Sequence, residues 1–205
     1  MTDNSKDEFI EIARIKEEFI ANASHELKTP IASVRLAAES ALTSLERDDG
    51  MTKSFLEQIL RDSDRMNELI SDLLDLSAME SSDVFMEAFD LHDVIANEIS
   101  YLSKQNKKRI SYKKKKVEIN ANFDDISLAV KNLIKNALKY SPPEENILIQ
   151  IEENDKSVRC SFQDFGSGIS ESDQEKIFER FYRVDKGRSR KVGGTGLGLA
   201  IVKHA

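Results

Sequence analysis

The sequence predicts an α+β protein: a long helical hairpin that pairs with a second copy into a dimeric four-helix bundle, followed by an α/β layered domain. Three observations predict it. Between Phe9 and Glu46 there is no glycine and only one proline, Pro30, so little interrupts a helix of about 57 Å. A second amphipathic stretch over 52–79 follows the polar break from Arg47 to Gly50. After Ser81 and Ser82 the chain turns to shorter, mixed elements, which places a domain boundary between 1–81 and 82–205.

In the first helix Ile20, Ala23, Leu27, Ile31, Val34, Ala38, Ala41 and Leu45 recur at threes and fours, close to a coiled-coil seam. In the second, Phe55, Ile59, Met66, Leu69, Leu73 and Leu76 do the same. Two such helices bury too little apolar surface alone, so a homodimer is expected. Beyond the boundary, the pattern predicts a helix over 91–105 and short strands over 109–114 and 117–120. A helix over 124–140 follows, capped by Asn122 or Asp124. Strands over 147–153 and 158–164 are joined by a tight turn at Asn154, Asp155 and Lys156. Alternation of this kind makes an α/β layer structure.

Composition narrows the function. The 205 residues (23.2 kDa) allow one large domain or two small ones. With 40% apolar and 33% charged residues, the chain is too hydrophobic for disorder and too charged for a membrane protein. No run approaches the ~18 apolar residues of a membrane span, and the first residues, Met1 to Ser5, do not form a basic then apolar signal. The stretch is therefore expected to be cytoplasmic, with no membrane contact of its own. The single cysteine, Cys160, rules out an internal disulfide and a cysteine-rich metal site. A strand core is its expected place. The net charge of −7 is uneven: residues 1–80 hold 9 Lys and Arg against 18 Asp and Glu, and 81–205 hold 21 against 19. An acidic chain without tryptophan argues against nucleic acid, and the Lys113 to Lys116 run is expected to be a solvated hairpin.

His25 lies two residues from Ala23 and from Leu27. At about 100° per residue it points away from the seam, into water. Glu26 flanks it and Thr29 lies one turn on. Pro30 withdraws the helix hydrogen bond from the Glu26 carbonyl. An exposed imidazole beside a carboxylate suits a nucleophile whose other ring nitrogen is held by that carboxylate; a solvated surface histidine has the same pattern.

The segment from Phe19 to Pro30, Phe-Ile-Ala-Asn-Ala-Ser-His-Glu-Leu-Lys-Thr-Pro, resembles the phospho-acceptor box of bacterial two-component sensor histidine kinases. Three further boxes of that family follow in order. The run from Asn132 to Tyr140 resembles the asparagine box, Asp164 to Gly168 the first glycine box, and Gly193 to Leu199 the second. Between the glycine boxes, Phe178 to Arg183 resembles the phenylalanine box. The resemblance implies a HisKA-type dimerisation and phospho-acceptor hairpin, then an ATP-binding sandwich of the GHKL type.

Chemistry supports each match. Asn132 and Asn136 share one helical face and offer neutral oxygens suited to Mg²⁺. Gly166 and Gly168 let the backbone approach a base, and Gly194, Thr195, Gly196, Leu197 and Gly198 lead into a helix start able to cradle phosphates. This is neither a Walker loop nor a dinucleotide fingerprint. Arg183, Lys186, Arg188, Arg190 and Lys191 form a cationic lid. The resemblance further implies Mg²⁺ on Asn136, phosphate on Lys139, packing of Tyr140 near adenine, and the adenine amino group on Asp164. It also implies Glu26 as base and ring orienter, Thr29 as the residue that positions water for phosphatase chemistry, and a response regulator receiver as partner. His92 and His204 match no box and are expected at the surface.

Two rivals remain: a GHKL ATPase of another kind, which leaves the His25 box unexplained, and a non-enzymatic dimeric scaffold. Family members continue beyond the equivalent of Ala205, so the ATP domain is expected to be C-terminally incomplete. They also carry upstream sensor and membrane segments, so a longer protein is expected at the inner membrane.

Overall fold

Helix α1 runs Asp3–Arg47 and passes through Pro30 unbroken. Helix α2 runs Thr52–Ser81. The computed structural model describes residues 3–81, 85–184 and 194–205. They form two compact units, one through Leu74 together with Gly194 and Thr195, the other from Asp75 onward. The turn of the hairpin places Asp48 and Gly50 in left-handed conformations, at φ 52° and 72°. Hydrogen bonds from the Ser44 hydroxyl and the Met51 amide hold the Asp49 carboxyl below its usual range, and Thr52 donates to Ser44 at 3.0 Å. This polar knot fixes the antiparallel register. Gln58 donates to Ser33 at 3.2 Å and Arg65 to Glu26 at 3.3 Å, so seven residues back on α1 match seven forward on α2.

The seam differs from the predicted one. Pro30, Ala37, Ala41 and Ser44 are buried on α1, whereas Ile20, Ile31 and Leu45 are exposed. On α1 the buried positions are small or cyclic and several large aliphatics lie outside, whereas on α2 the predicted seam residues Leu69 and Leu76 are buried. The predicted stripe therefore mixed two faces, which a near-3.5 period cannot separate.

The second unit starts with strand β1 (Glu87–Asp90), which pairs antiparallel with β3 (Glu118–Ala121). Strand β2 (Ile110–Tyr112) runs parallel to β4 (Ile147–Asn154), which pairs antiparallel with β5 (Ser157–Gln163), giving the order β2-β4-β5. Val94, Ile95, Ile134, Ala137, Ile147 and Ile149 are buried between the helices and this sheet. Asn154 accepts from the Lys156 and Ser157 amides at 3.0 Å, closing the predicted turn. Cys160 faces Ile151 across the ladder and packs against the core as expected; burial pushes its thiol up to about 11.

One predicted helix is two. Helix α3 (Leu91–Ser100) is capped by Asp90, and α4 (Lys104–Lys108) starts afresh because the Ser103 side chain accepts from the Asn106 amide. A serine that caps competes with helix continuation. Helix α5 (Phe123–Tyr140) has Asn122 as its cap, accepting from the Asp124 and Asp125 amides. Short helix α6 (Glu171–Gln174), a 3₁₀ turn (Lys176–Phe178) and α7 (Gly198–His204) complete the unit. His204 is exposed, but His92 is half-buried. Burial first of all pushes the Tyr112 hydroxyl up to about 12, and it lies 2.9 Å from His92 Nδ1 with the two rings stacked. The expectation of a surface His92 failed because its partner is 20 residues away.

Candidate functional site

In the hairpin, His25 is exposed on α1, as its angle from the seam requires. Thr29 donates to the His25 carbonyl at 3.4 Å, and its hydroxyl is exposed. Pro30 has no N–H to give the Glu26 carbonyl, so the helix is weakest at the peptide after the histidine. The Glu26 side chain turns to the other helix, where Arg65 Nη2 lies 3.3 Å from its Oε2. Arg65 carried no sequence signal, because its partner is 39 residues away.

In the second unit, α5 is the organising element. Asn132 is 5% exposed, and its amide donates to the Leu128 carbonyl at 2.9 Å. A Cβ on Gly198 would stand 2.8 Å from Asn132 Oδ1 and 3.8 Å from Asn136 Nδ2. Only glycine lets the first turn of α7 sit this close to the asparagine face. Asn136 is half-buried one turn further on, and Lys139 beyond it lies 5.5 Å from the ring of exposed Tyr140.

The C-terminal end of α5 meets the first glycine box. A Cβ on Gly166 would stand 2.8 Å from the Tyr140 carbonyl oxygen and 2.9 Å from Asp164 Oδ1. The Asp164 carboxylate accepts from the Gly166 amide at 2.8 Å, and buried Ser141 accepts from the Phe165 amide at 3.0 Å. Gly168, at φ 74°, has open space around it. Arg109 holds this end in place, donating to the carbonyls of Leu138 (3.2 Å), Ser141 (3.3 Å), Pro142 (2.8 Å) and Glu145 (3.3 Å). Carbonyls at a helix end lack intrahelical partners, and one guanidinium fork supplies four. Sequence reasoning missed Arg109.

The second glycine box is clasped by the phenylalanine box. Gly196 sits at φ 77°, and a Cβ there would meet the Phe181 carbonyl carbon at 2.8 Å. The Phe181 amide donates to the Gly196 carbonyl at 2.8 Å, and Phe181 itself is left-handed at φ 63°. Gly194 is at φ 117° and Leu197 is fully buried. Tyr182 donates to Asp173 at 2.7 Å. Hydrogen bonds from Ser170 and Tyr182 hold the Asp173 carboxyl below its usual range. Arg183 is half-buried; Lys186, Arg188, Arg190, Lys191 and Gly193 lie outside the described residues.

The structure therefore joins Asn132 and Asn136 to Gly198, Tyr140 to Asp164 and Gly166, and Gly196 to the phenylalanine box. His25, Glu26 and Thr29 stand in the other unit. Among the described residues no three His, Cys, Asp or Glu cluster as metal ligands. A cation at the asparagine face would rely on an amide oxygen, water and phosphate, a donor set that suits Mg²⁺ and not a thiolate- or imidazole-seeking metal. Asn136 fits that role. Asn132, buried against Gly198, offers its oxygen to the packing of α7.

Comparison with known proteins agrees with this geometry. Residues 15–82 match the His Kinase A (phospho-acceptor) domain, and residues 121–205 match the histidine kinase-, DNA gyrase B-, and HSP90-like ATPase family. The chain is 34% identical over 201 residues to the sensor-like histidine kinase SenX3 of Mycolicibacterium smegmatis, covering 92% of this chain and 50% of that protein. It is 35% identical over 197 residues to the sensor histidine kinase WalK of Bacillus subtilis, covering 92% and 32%. The chain thus spans half or less of the length of these relatives. In fold it is similar to the histidine kinase ThkA solved in complex with the response regulator protein TrrA, with a TM-score of 0.69, 21% identity and coverage of 90% of this chain and 58% of that one. Acinetobacter baumannii histidine kinase AdeS gives 0.64, at 23% identity and coverage of 88% and 84%. Among the described residues no helix is long and apolar enough to cross a membrane. With both matched domains in order on one polypeptide, the chain belongs to the two-component sensor histidine kinases.

Proposed function

We propose that this chain binds Mg²⁺-ATP in its second unit, transfers the γ-phosphoryl group to His25, and passes it to an aspartate of a response regulator receiver. One observation carries the reading. Both glycine boxes converge on helix α5, one at its asparagine face and one at its C-terminal end, while an exposed histidine beside a carboxylate stands on a separate helix.

Asp164 accepts the adenine amino group where Gly166 lets the backbone approach, with Tyr140 beside it. Asn136 supplies an amide oxygen to Mg²⁺, and Asn132 sets the helix spacing that makes room for it. Mg²⁺ held there would offset charge on the phosphates. Lys139 and Arg183 meet phosphate, and Gly196 and Gly198 free the backbone at the start of α7 to approach it. The His25 imidazole attacks, and Glu26 takes the ring proton. Thr29 keeps its hydroxyl exposed while donating to the His25 carbonyl, so its oxygen lone pairs serve to hold a water for hydrolysis of the regulator's phospho-aspartate. Leu42 and Leu45 on α1 and Leu56 and Leu60 on α2 are exposed aliphatics whose partner is a second copy, giving the four-helix dimer. The chain works in the cytoplasm, as part of a longer protein at the inner membrane.

Incubation with γ-labelled ATP and Mg²⁺ tests the reading. Acid-labile, base-stable label is expected on the parent chain and absent from His25→Gln, which retains nucleotide binding. Free phosphate without protein label would favour another kind of ATPase, and neither would favour a scaffold.

A further inference from the structure

Among the described residues the hairpin carries several ion pairs, and Arg65–Glu26 joins its two helices. Arg14–Glu18, Arg35–Glu39, Lys53–Glu57 and Arg61–Glu57 each join residues four apart on one helix, and each side chain is more than half exposed. Such pairs contribute little. Arg65–Glu26 instead joins α2 to α1, with side chains only 22% and 30% exposed. It falls on the residue next to His25, at the peptide whose carbonyl Pro30 leaves without a helix donor. Local helix geometry is least able to hold Glu26 there, and a charge from the neighbouring helix reaches across to hold it.

We propose that Arg65 is a positioning residue for phosphorylation of His25, acting through Glu26; this rests on the kinase reading above. In the step concerned, the lone pair of one imidazole nitrogen forms the N–P bond. The bond from the γ-phosphorus to the bridging oxygen breaks, and its electron pair leaves on ADP. The proton on the other ring nitrogen passes to the Glu26 carboxylate and then to water. A carboxylate on a free side chain sweeps many directions. With Oε2 3.3 Å from Arg65 Nη2, the carboxylate has fewer directions open to it, and the cost of orienting it for the reaction falls. Lysine carries the charge without the fork, so it replaces arginine only in part.

The test is a double-mutant cycle read on the initial rate of His25 labelling at saturating Mg²⁺-ATP, with ATP affinity and thermal unfolding measured alongside. Arg65→Gln is expected to slow labelling about tenfold, a fraction of the ~10² to 10⁴ that a positioned base contributes, with ATP affinity unchanged. Arg65→Lys recovers part of the rate. In a Glu26→Gln background, Arg65→Gln is expected to cost nothing more, because the group it positions is gone. An equal loss in both backgrounds, or no loss in either, overturns the proposal. Should Arg65→Gln fail to fold, the lysine variant carries the cycle alone: a loss confined to the Glu26 background supports the role, and an equal or absent loss overturns it. If the parent itself takes no acid-labile label, the kinase reading falls instead.

Discussion

The two units bury different things. The second unit hides large aliphatics outright: Ile95, Ile147 and Ile149 are 0% exposed and Ile134 is 1%. The hairpin hides Ala37, Ala41 and Ser44 on α1 and Leu69 and Leu76 on α2, and leaves Leu36, Leu42, Leu45 and Leu60 more than 60% exposed. One region closes its core within itself. The other keeps its strongest hydrophobic surface for something outside the chain. The difference teaches that the α/β unit is held by its own packing, whereas the proposed dimer would add to the hairpin's stability by covering its exposed leucines.

The largest effect breaks the packed side. Ile134→Ala is expected to destabilise the second unit by about 2–5 kcal/mol through lost burial and a cavity, seen as an earlier thermal transition and a lower denaturant midpoint. The hairpin helicity should survive it. If both regions melt together by the same amount, their stabilities are coupled and the comparison fails.

Gly196→Ala comes next. It places a methyl 2.8 Å from the Phe181 carbonyl carbon at a φ of 77°, so about 1–3 kcal/mol of strain is expected, with weaker ATP binding because the clasp on the second glycine box loosens. Gly168→Ala, at a similar φ of 74° but with open space, should cost less; equal losses would show that conformation and not contact dominates.

On the hairpin side, Leu42→Ser with Leu60→Ser should leave the α/β transition where it is and shift the chain from dimer to monomer in light scattering. A double variant that remains dimeric would mean that these leucines serve another surface.

The smallest effect concerns pH. Asp173 is held below the usual carboxylate range by hydrogen bonds from Ser170 and Tyr182. A depressed carboxylate stabilises the fold above its unfolded pKa, and that contribution is lost as pH falls through the folded value. Acid titration below about pH 4 should therefore loosen the phenylalanine-box segment, and Asp173→Asn should flatten that part of the profile.

Much of this was legible beforehand where the signal was local. The polar break that ends in Gly50 placed the hairpin turn, and of the two caps the sequence allowed, Asn122 and Asp124, Asn122 serves. The register that sets β2 parallel to β4, Ile110 beside Ile147, was not legible, because pairing across 37 residues leaves no local pattern. The same holds for the site. The boxes named Asn136, Asp164 and Gly198, but Arg65 and Arg109 act on partners 29 to 39 residues away, and no spacing announces them. Asn132 shows the converse: in sequence it reads as an open ligand, and in the structure it is buried with its amide donating to the Leu128 carbonyl.

Cys160 gives the molecule a built-in clock. Its thiol sits on β5 opposite Ile151, in the strand pair that ends in the first glycine box, and burial pushes it up to about 11. A thiol reagent at neutral pH therefore reacts slowly with this half-buried group, and faster whenever the ladder opens. Since the chain has one cysteine, the rate of modification reports the opening of that single hairpin with no engineered label. Comparing the rate with and without nucleotide tests whether the proposed binding at Asp164 changes how often the neighbouring strands part.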